Sequence, residues 1–120
     1  MGMLWVFLGG GLGASCRYLV SRLVPQIGGF GWPTLISNIL ACLILGYLMT
    51  GVDAKSLTEK QQLFLMTGFC GGFSTFSTFT IEHYNLLQNG QYKTAVLYIA
   101  LSLIACLGGL ILGIRLGTSV

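Results

Sequence analysis

Charged side chains are so sparse in this chain that they divide it into long apolar intervals. Residues 1–16, 23–52, 61–81 and 94–114 contain no Asp, Glu, Lys or Arg. A bilayer core takes about 20 apolar residues of helix. The intervals therefore predict four membrane-spanning helices, near 3–24, 33–51, 62–88 and 94–115, the first continuing past Arg17 toward Val24. The punctuation between them is turn chemistry. Gly28-Gly29-Phe30-Gly31-Trp32-Pro33 reads as the first turn, with Trp32 at headgroup depth and Pro33 near the first helical position. Asp53 to Lys60 forms a polar second loop, and Asn89-Gly90-Gln91-Tyr92-Lys93 the third turn. The first interval lacks a basic start and carries Arg17 well inside, so it is not expected to be a cleaved signal peptide. Residues 1–120 make a single four-helix domain in this reading, with almost nothing left for a soluble part.

Composition agrees. The 120 residues are 54% hydrophobic and 8% charged, against about 25% charged in an average soluble domain. A net charge of +3 would point toward nucleic acid in a soluble chain; here the basic residues are better read as topology signals. With four spans, one side carries Lys55, Lys60 and Arg115 and the other Arg22 and Lys93. So even a balance barely chooses an orientation, and the chain is expected to insert both ways up. Gly9 and Gly13, Gly68 and Gly72, and Gly109 and Gly113 have the small-xxx-small spacing that lets helices approach closely in lipid. Four helices are few for enclosing a polar route, and with no visible internal repeat the inverted symmetry would come from a second copy. Cys16, Cys42, Cys70 and Cys106 fall one in each helix and read as small buried apolar residues, without the close spacing of a metal or disulfide site.

The third interval departs from an ordinary span. Gly68-Phe69-Cys70-Gly71-Gly72-Phe73-Ser74-Thr75-Phe76-Ser77-Thr78-Phe79 concentrates glycines and hydroxyls, although a hydroxyl in hydrocarbon needs a partner and each glycine loosens a helix. We expect helix 3 to be broken at Gly71-Gly72, where something polar binds or passes. Together with Asn38 in helix 2 and the Gly10-Gly11-x-Gly13-x-x-x-Arg17-Tyr18 run in helix 1, this string resembles the Fluc (CrcB) fluoride channels, over the whole length of the chain. The resemblance implies an all-α antiparallel dual-topology dimer in the inner or plasma membrane, built from two identical or homologous subunits. It implies passive, selective export of cytoplasmic fluoride through two pores lined by Phe76, Phe79 and Asn38. It also implies a structural sodium ion on the dimer axis, bound by the backbone carbonyls of Gly71 and Ser74 from both subunits.

The residues have a physical reading of their own. Phe73, Phe76 and Phe79 are three apart and share a helix face, and the electropositive rim of an aromatic ring can face a small anion without holding it tightly; packing in the core is the other use of such rings. Ser77, Thr78 and Asn38 can donate hydrogen bonds to replace the water that fluoride sheds, or can bond helix carbonyls and a neighbouring helix instead. Freed carbonyls at Gly71 and Gly72 are tolerated only against protein or an ion; the alternative is a kink sealed by Ser74 or Thr75. Arg17, costly in a bilayer, should face a polar cavity, either drawing anions to an entrance or bonding helix ends. Glu82 either accepts hydrogen bonds that orient Ser or Thr hydroxyls or sits in a vestibule, and His83 reads as interfacial. On helix 4, Tyr98, Ser102 and Cys106 are the polar candidates for the pore wall.

Other functions fit less well. A small multidrug exporter of the four-helix, dual-topology kind needs an embedded carboxylate early in helix 1, where this chain has no Asp or Glu. A non-transporting membrane assembly subunit would use the glycines but not the Ser-Thr-Phe repeat. An enzyme is poorer still: the sequence has no Gly-x-Ser-x-Gly and a single imidazole, His83, for acid–base work.

Overall fold

A computed structural model describes residues 1–51 and 56–119. Asp53 and Lys55, the start of the second loop and one of its topology signals, lie outside them. The chain is helical throughout the described residues, with one isolated bridge between Ile27 and Phe30 in the first turn. The elements are α1 (Gly2–Leu23), α2 (Trp32–Thr50), α3 (Glu59–Gln62), a π-helical stretch (Leu63–Cys70), α4 (Gly71–Phe73), α5 (Ser77–Gln88) and α6 (Tyr92–Thr118). α1, α2 and α6 are each long and apolar enough to cross a bilayer, so this is a membrane protein. The third segment is not one span but two pieces, 59–73 and 77–88.

Local chemistry explains the ends. Gly28 and Gly29 take φ values of 65° and 77°, and Gly90 takes 72°, a region that side chains rarely enter. Pro33 sits in the first turn of α2, where its missing N–H costs nothing. Thr58 and Gln61 close a reciprocal capping box at the start of α3, each side chain bonded to the other's backbone N–H.

Four segments pack as two parallel pairs. Along α1, Gly9 lies against the backbone of Phe64 and Phe69, Gly13 against Phe69 and Phe73, and Arg17 reaches Gly72; residue numbers rise together on both sides. Along α6, Gly109 meets Ile39, Gly113 meets Leu43, and Gly117 meets Thr50, with the same sense. All three small-xxx-small pairs thus make contacts within the chain. The first and third turns share one end, where Gly29 lies beneath Gln91 and Leu86. The tightest apolar cluster is also there, formed by Phe30, Leu35, Leu86, Ala95 and Tyr98, with Ile39 and Phe79 against it. Outward faces of the long helices are bare: Phe7, Val96 and Ile104 are among many exposed apolar side chains.

The break in helix 3 corrects one expectation. Gly71 is helical, with φ −64° and ψ −35°, and Gly71–Phe73 complete a helical turn. The chain leaves the helix at Ser74, with φ −85° and ψ 158°, and re-enters it at Ser77. Gly68 and Gly72 are glycine for space and not for flexibility, because α1 crosses there: a Cβ on Gly72 would strike the Gly10 carbonyl oxygen, and one on Gly68 would meet Gly9 Cα.

Candidate functional site

The break at 74–76 is held open by a side chain from another helix. Asn38, half-buried on α2, accepts from the Thr75 N–H through Oδ1 at 2.8 Å and donates through Nδ2 to the Thr75 carbonyl at 3.3 Å. One amide so replaces both backbone partners that residue 75 would have had in a helix. In a continuous helix the Thr75 N–H would bond the Gly71 carbonyl, so its capture by Asn38 leaves that carbonyl without its helical partner. Other groups tie down the remaining ends. The Ser74 hydroxyl donates to the Cys70 carbonyl at 2.9 Å, and Arg17 Nε donates to the Gly72 carbonyl at 3.1 Å. Of the two roles open to Arg17, the structure displays the bonding of a helix end.

α5 begins immediately beyond the break. Thr75 Oγ1 accepts from the Thr78 N–H at 3.2 Å, satisfying one first-turn amide of the 12-residue helix, whose N-cap position is Phe76. The Ser77 hydroxyl lies 3.3 Å from that of Thr75. The amino end of such a helix carries partial positive charge. It borders a cleft of about 220 Å³ lined by Asn38, Cys42, Ser74, Thr75, Phe76 and Cys106. A second cleft of about 220 Å³ adjoins it and includes Gly71, Ser74, Cys42 and Cys70.

Phe76 stands at the mouth of the first cleft with 78% of its surface exposed. Its ring is 5.7 Å from that of Phe79, which is 5.1 Å from Tyr98 and 4.3 Å from His83. Phe79 therefore belongs both to a ladder of aromatic edges leading from the cleft and to the wall of the apolar cluster. Phe73 is buried, the packing role.

Glu82 takes partners that the sequence did not suggest. The carboxylate is buried, accepting from Tyr98 Oη at 2.9 Å and from Gln26 Nε2 at 2.6 Å. These come from α6 and the first turn, not from the Ser and Thr hydroxyls of the motif. Gly31 is glycine because Glu82 and Tyr98 occupy the place of its Cβ. His83 is buried: its ring stacks on Tyr98 at 4.7 Å with 2° between planes, and its two nitrogens face the carbonyls of Phe79 and Ala95.

Of the three helix 4 candidates, Cys106 lines the cleft, Tyr98 is fully buried on Glu82, and Ser102 is buried with no hydrogen-bond partner for its hydroxyl. Tyr98, Ser102 and Cys106 recur every four residues and so share one face; that stripe in an otherwise apolar helix was the available signal. Cys42 carried none beyond its spacing of four from Asn38.

A family model described as CrcB-like protein, Camphor Resistance (CrcB), matches residues 4–114. A Rhodococcus jostii protein named fluoride-specific ion channel FluC 2 is 43% identical over 116 residues, covering 97% of this chain and 98% of that protein. A Pyrococcus furiosus protein named fluoride-specific ion channel FluC is 43% identical over 112 residues, 90% of this chain and 89% of the relative. An Ignicoccus hospitalis protein of the same name is 42% identical over 100 residues, 83% and 81% of the two chains.

Proposed function

The chain belongs to the CrcB-like family, and from that premise we propose that it is a fluoride channel, which lets fluoride leave the cell passively through the membrane. It is not an enzyme. The observation that carries the reading is the break on α5: a hydrogen-bonding amide, Asn38, and a pair of phenylalanine rings, Phe76 and Phe79, meet at the positive end of a helix. Fluoride is small and strongly hydrated, so a route must offer donors and positive edges in place of water. The cleft offers the second Nδ2 hydrogen of Asn38 and the rim of the Phe76 ring; Ser77, Thr78 and Phe79, at the start of α5, follow it in the chain. Arg17 and Glu82 hold the structure around the cleft, the first through the Gly72 carbonyl and the second through Tyr98, whose ring packs on Phe79.

Liposomes containing the purified protein should lose fluoride rapidly once a potassium ionophore relieves the charge build-up. Equal chloride and fluoride efflux, or strict dependence on a proton gradient, would sink the proposal and favour an exporter.

The rings are tested by replacement. Phe76→Ile removes an aromatic edge from a largely exposed site, so the fold should survive while fluoride efflux falls at least roughly tenfold, about 1.4 kcal/mol in barrier terms. Phe79→Ile should do the same with some loss of stability, because that ring packs on Tyr98 and His83. Wild-type efflux from both variants returns the rings to the core.

The cleft is open on one side in a single chain, and a second copy in the opposite orientation would close it. In such an antiparallel dimer the Gly71 and Ser74 carbonyls of both subunits form a four-oxygen cage suited to a hard monovalent cation such as sodium. The fit rests on the Gly71 carbonyl released by Asn38. Two measurements test the assembly. A C-terminal tag should be found on both faces of the inner or plasma membrane, given the near-even charges of its two sides, and exchange of sodium for a large organic cation should lower the unfolding temperature. A single orientation would replace the homodimer with a paired partner chain, and indifference to sodium would leave the carbonyls to water.

A further inference from the structure

Cysteines one to a helix carried no sequence signal of a site, yet the fold brings two of them together. Cys42 on α2 and Cys106 on α6 line one cleft where these two helices meet, a Cβ on Gly109 of α6 lying 3.9 Å from the Cys42 Cβ. Both are half-exposed, and both line the cleft shared by Asn38, Ser74, Thr75 and Phe76. Cys42 lies one turn after Asn38 on the same face of α2. No group of three or more His, Cys, Asp or Glu suited to a metal occurs among the described residues, which excludes the tetrahedral sites that zinc prefers. Two convergent thiols with an open side are what remains.

We propose that Cys42 and Cys106 form a dithiol site for a soft, two-coordinate d10 cation, of the copper(I), silver(I) or mercury(II) class, and that its occupation closes the cleft. Thiolate sulfur selects such ions over hard cations, and a linear sulfur–metal–sulfur bridge needs no third ligand. With mercuric chloride each thiol exchanges its proton for a bond to the metal: two mercury–sulfur bonds form, two mercury–chlorine bonds break, and two protons and two chlorides leave. No oxidant is required. The bridge lies beside Asn38 and Phe76, so the same event narrows the route proposed above. The metal site itself stands without that functional reading, and only the block of fluoride rests on it.

The probe is mercuric chloride, added to the purified full-length protein in excess glutathione so that lone thiols are outcompeted. Intact-mass measurement should find one mercury gained and two hydrogens lost per chain, reversed by dithiothreitol. In Cys42→Ser or Cys106→Ser the mercury needed should rise roughly 100-fold or more, the loss of a second tethered ligand; Cys16→Ser should bind as the parent does. In liposomes the same mercury should stop fluoride efflux and dithiothreitol should restore it. An adduct that persists in both Cys42→Ser and Cys106→Ser, or none in the parent, overturns the site. A stoichiometric adduct with unchanged efflux overturns the block. A parent that conducts no fluoride before mercury is added refutes the channel reading instead, while the mass measurement still decides the site.

Discussion

Asn38→Asp should abolish fluoride efflux while leaving the fold recognisable. The carboxylate can still accept from the Thr75 N–H, but it has no hydrogen for the Thr75 carbonyl, to which Asn38 Nδ2 donates at 3.3 Å. Half of the clamp that opens helix 3 is thereby lost, and two oxygens are left facing each other. The new charge also stands on a cleft proposed to pass an anion. At an effective dielectric near 20, two like charges about 4 Å apart repel by about 4 kcal/mol, which is roughly a thousandfold in rate. Asn38→Ala separates the two effects: it removes the clamp without adding charge, and should lose stability as well as flux, because the Thr75 N–H and carbonyl are then without partners at a cost of about 1–3 kcal/mol for each buried group. Efflux from liposomes, read beside monodispersity in detergent, distinguishes these results. Near-parental efflux from Asn38→Asp would remove Asn38 from the ion route and leave it a structural clamp.

The clamp that Asn38 makes on Thr75 marks where the sequence stopped being legible. The spans were readable because the bilayer imposes a length and excludes charge, so the gaps between charged residues had to fall near the helix ends: α2 at Trp32–Thr50 against 33–51, and α6 at Tyr92–Thr118 against 94–115. The unusual third segment was readable for a similar reason, since hydroxyls and glycines in an apolar run demand an explanation. What a one-dimensional pattern could not supply was which neighbour each small residue meets. Gly71-Gly72 read as the break on intrinsic flexibility, but Gly72 is there because α1 crosses it, and the break lies where Asn38 supplies an alternative to helical bonding at Thr75. Likewise Glu82 was visible as an embedded acid, while its partners Tyr98 and Gln26 lie 16 and 56 residues away. The thiol pair is the same case, because nothing in sequence relates Cys42 to Cys106 until α2 and α6 are known to run parallel.

That parallel contact leads to one of the largest stability effects expected of a single methyl group in this chain. At Gly113 the α6 backbone lies directly on α2: an added Cβ would fall on the Leu43 carbonyl oxygen and within 2.9 Å of the Tyr47 nitrogen. Neither is a side-chain tip that can swing away, so the two helices must part along their shared face, losing close packing over several turns. In lipid, where the hydrophobic effect does not drive helices together, that packing is the main source of association. Overpacking of this kind costs about 1–3 kcal/mol and sometimes more, and Gly113→Ala should fall at or above the top of that range. Gly108→Ala, five residues earlier in the same helix, is the control. A Cβ there meets nothing within 4 Å, and alanine is the better helix former by about 0.5–1 kcal/mol, so its intrinsic effect is neutral to stabilising. Unfolding in mixed detergent micelles should rank the variants Gly108→Ala, parent, Gly113→Ala in falling order. Equal stability of Gly113→Ala and the parent would mean that α2 and α6 do not touch at this point, and the close approach that also brings Cys42 to Cys106 would be lost with it.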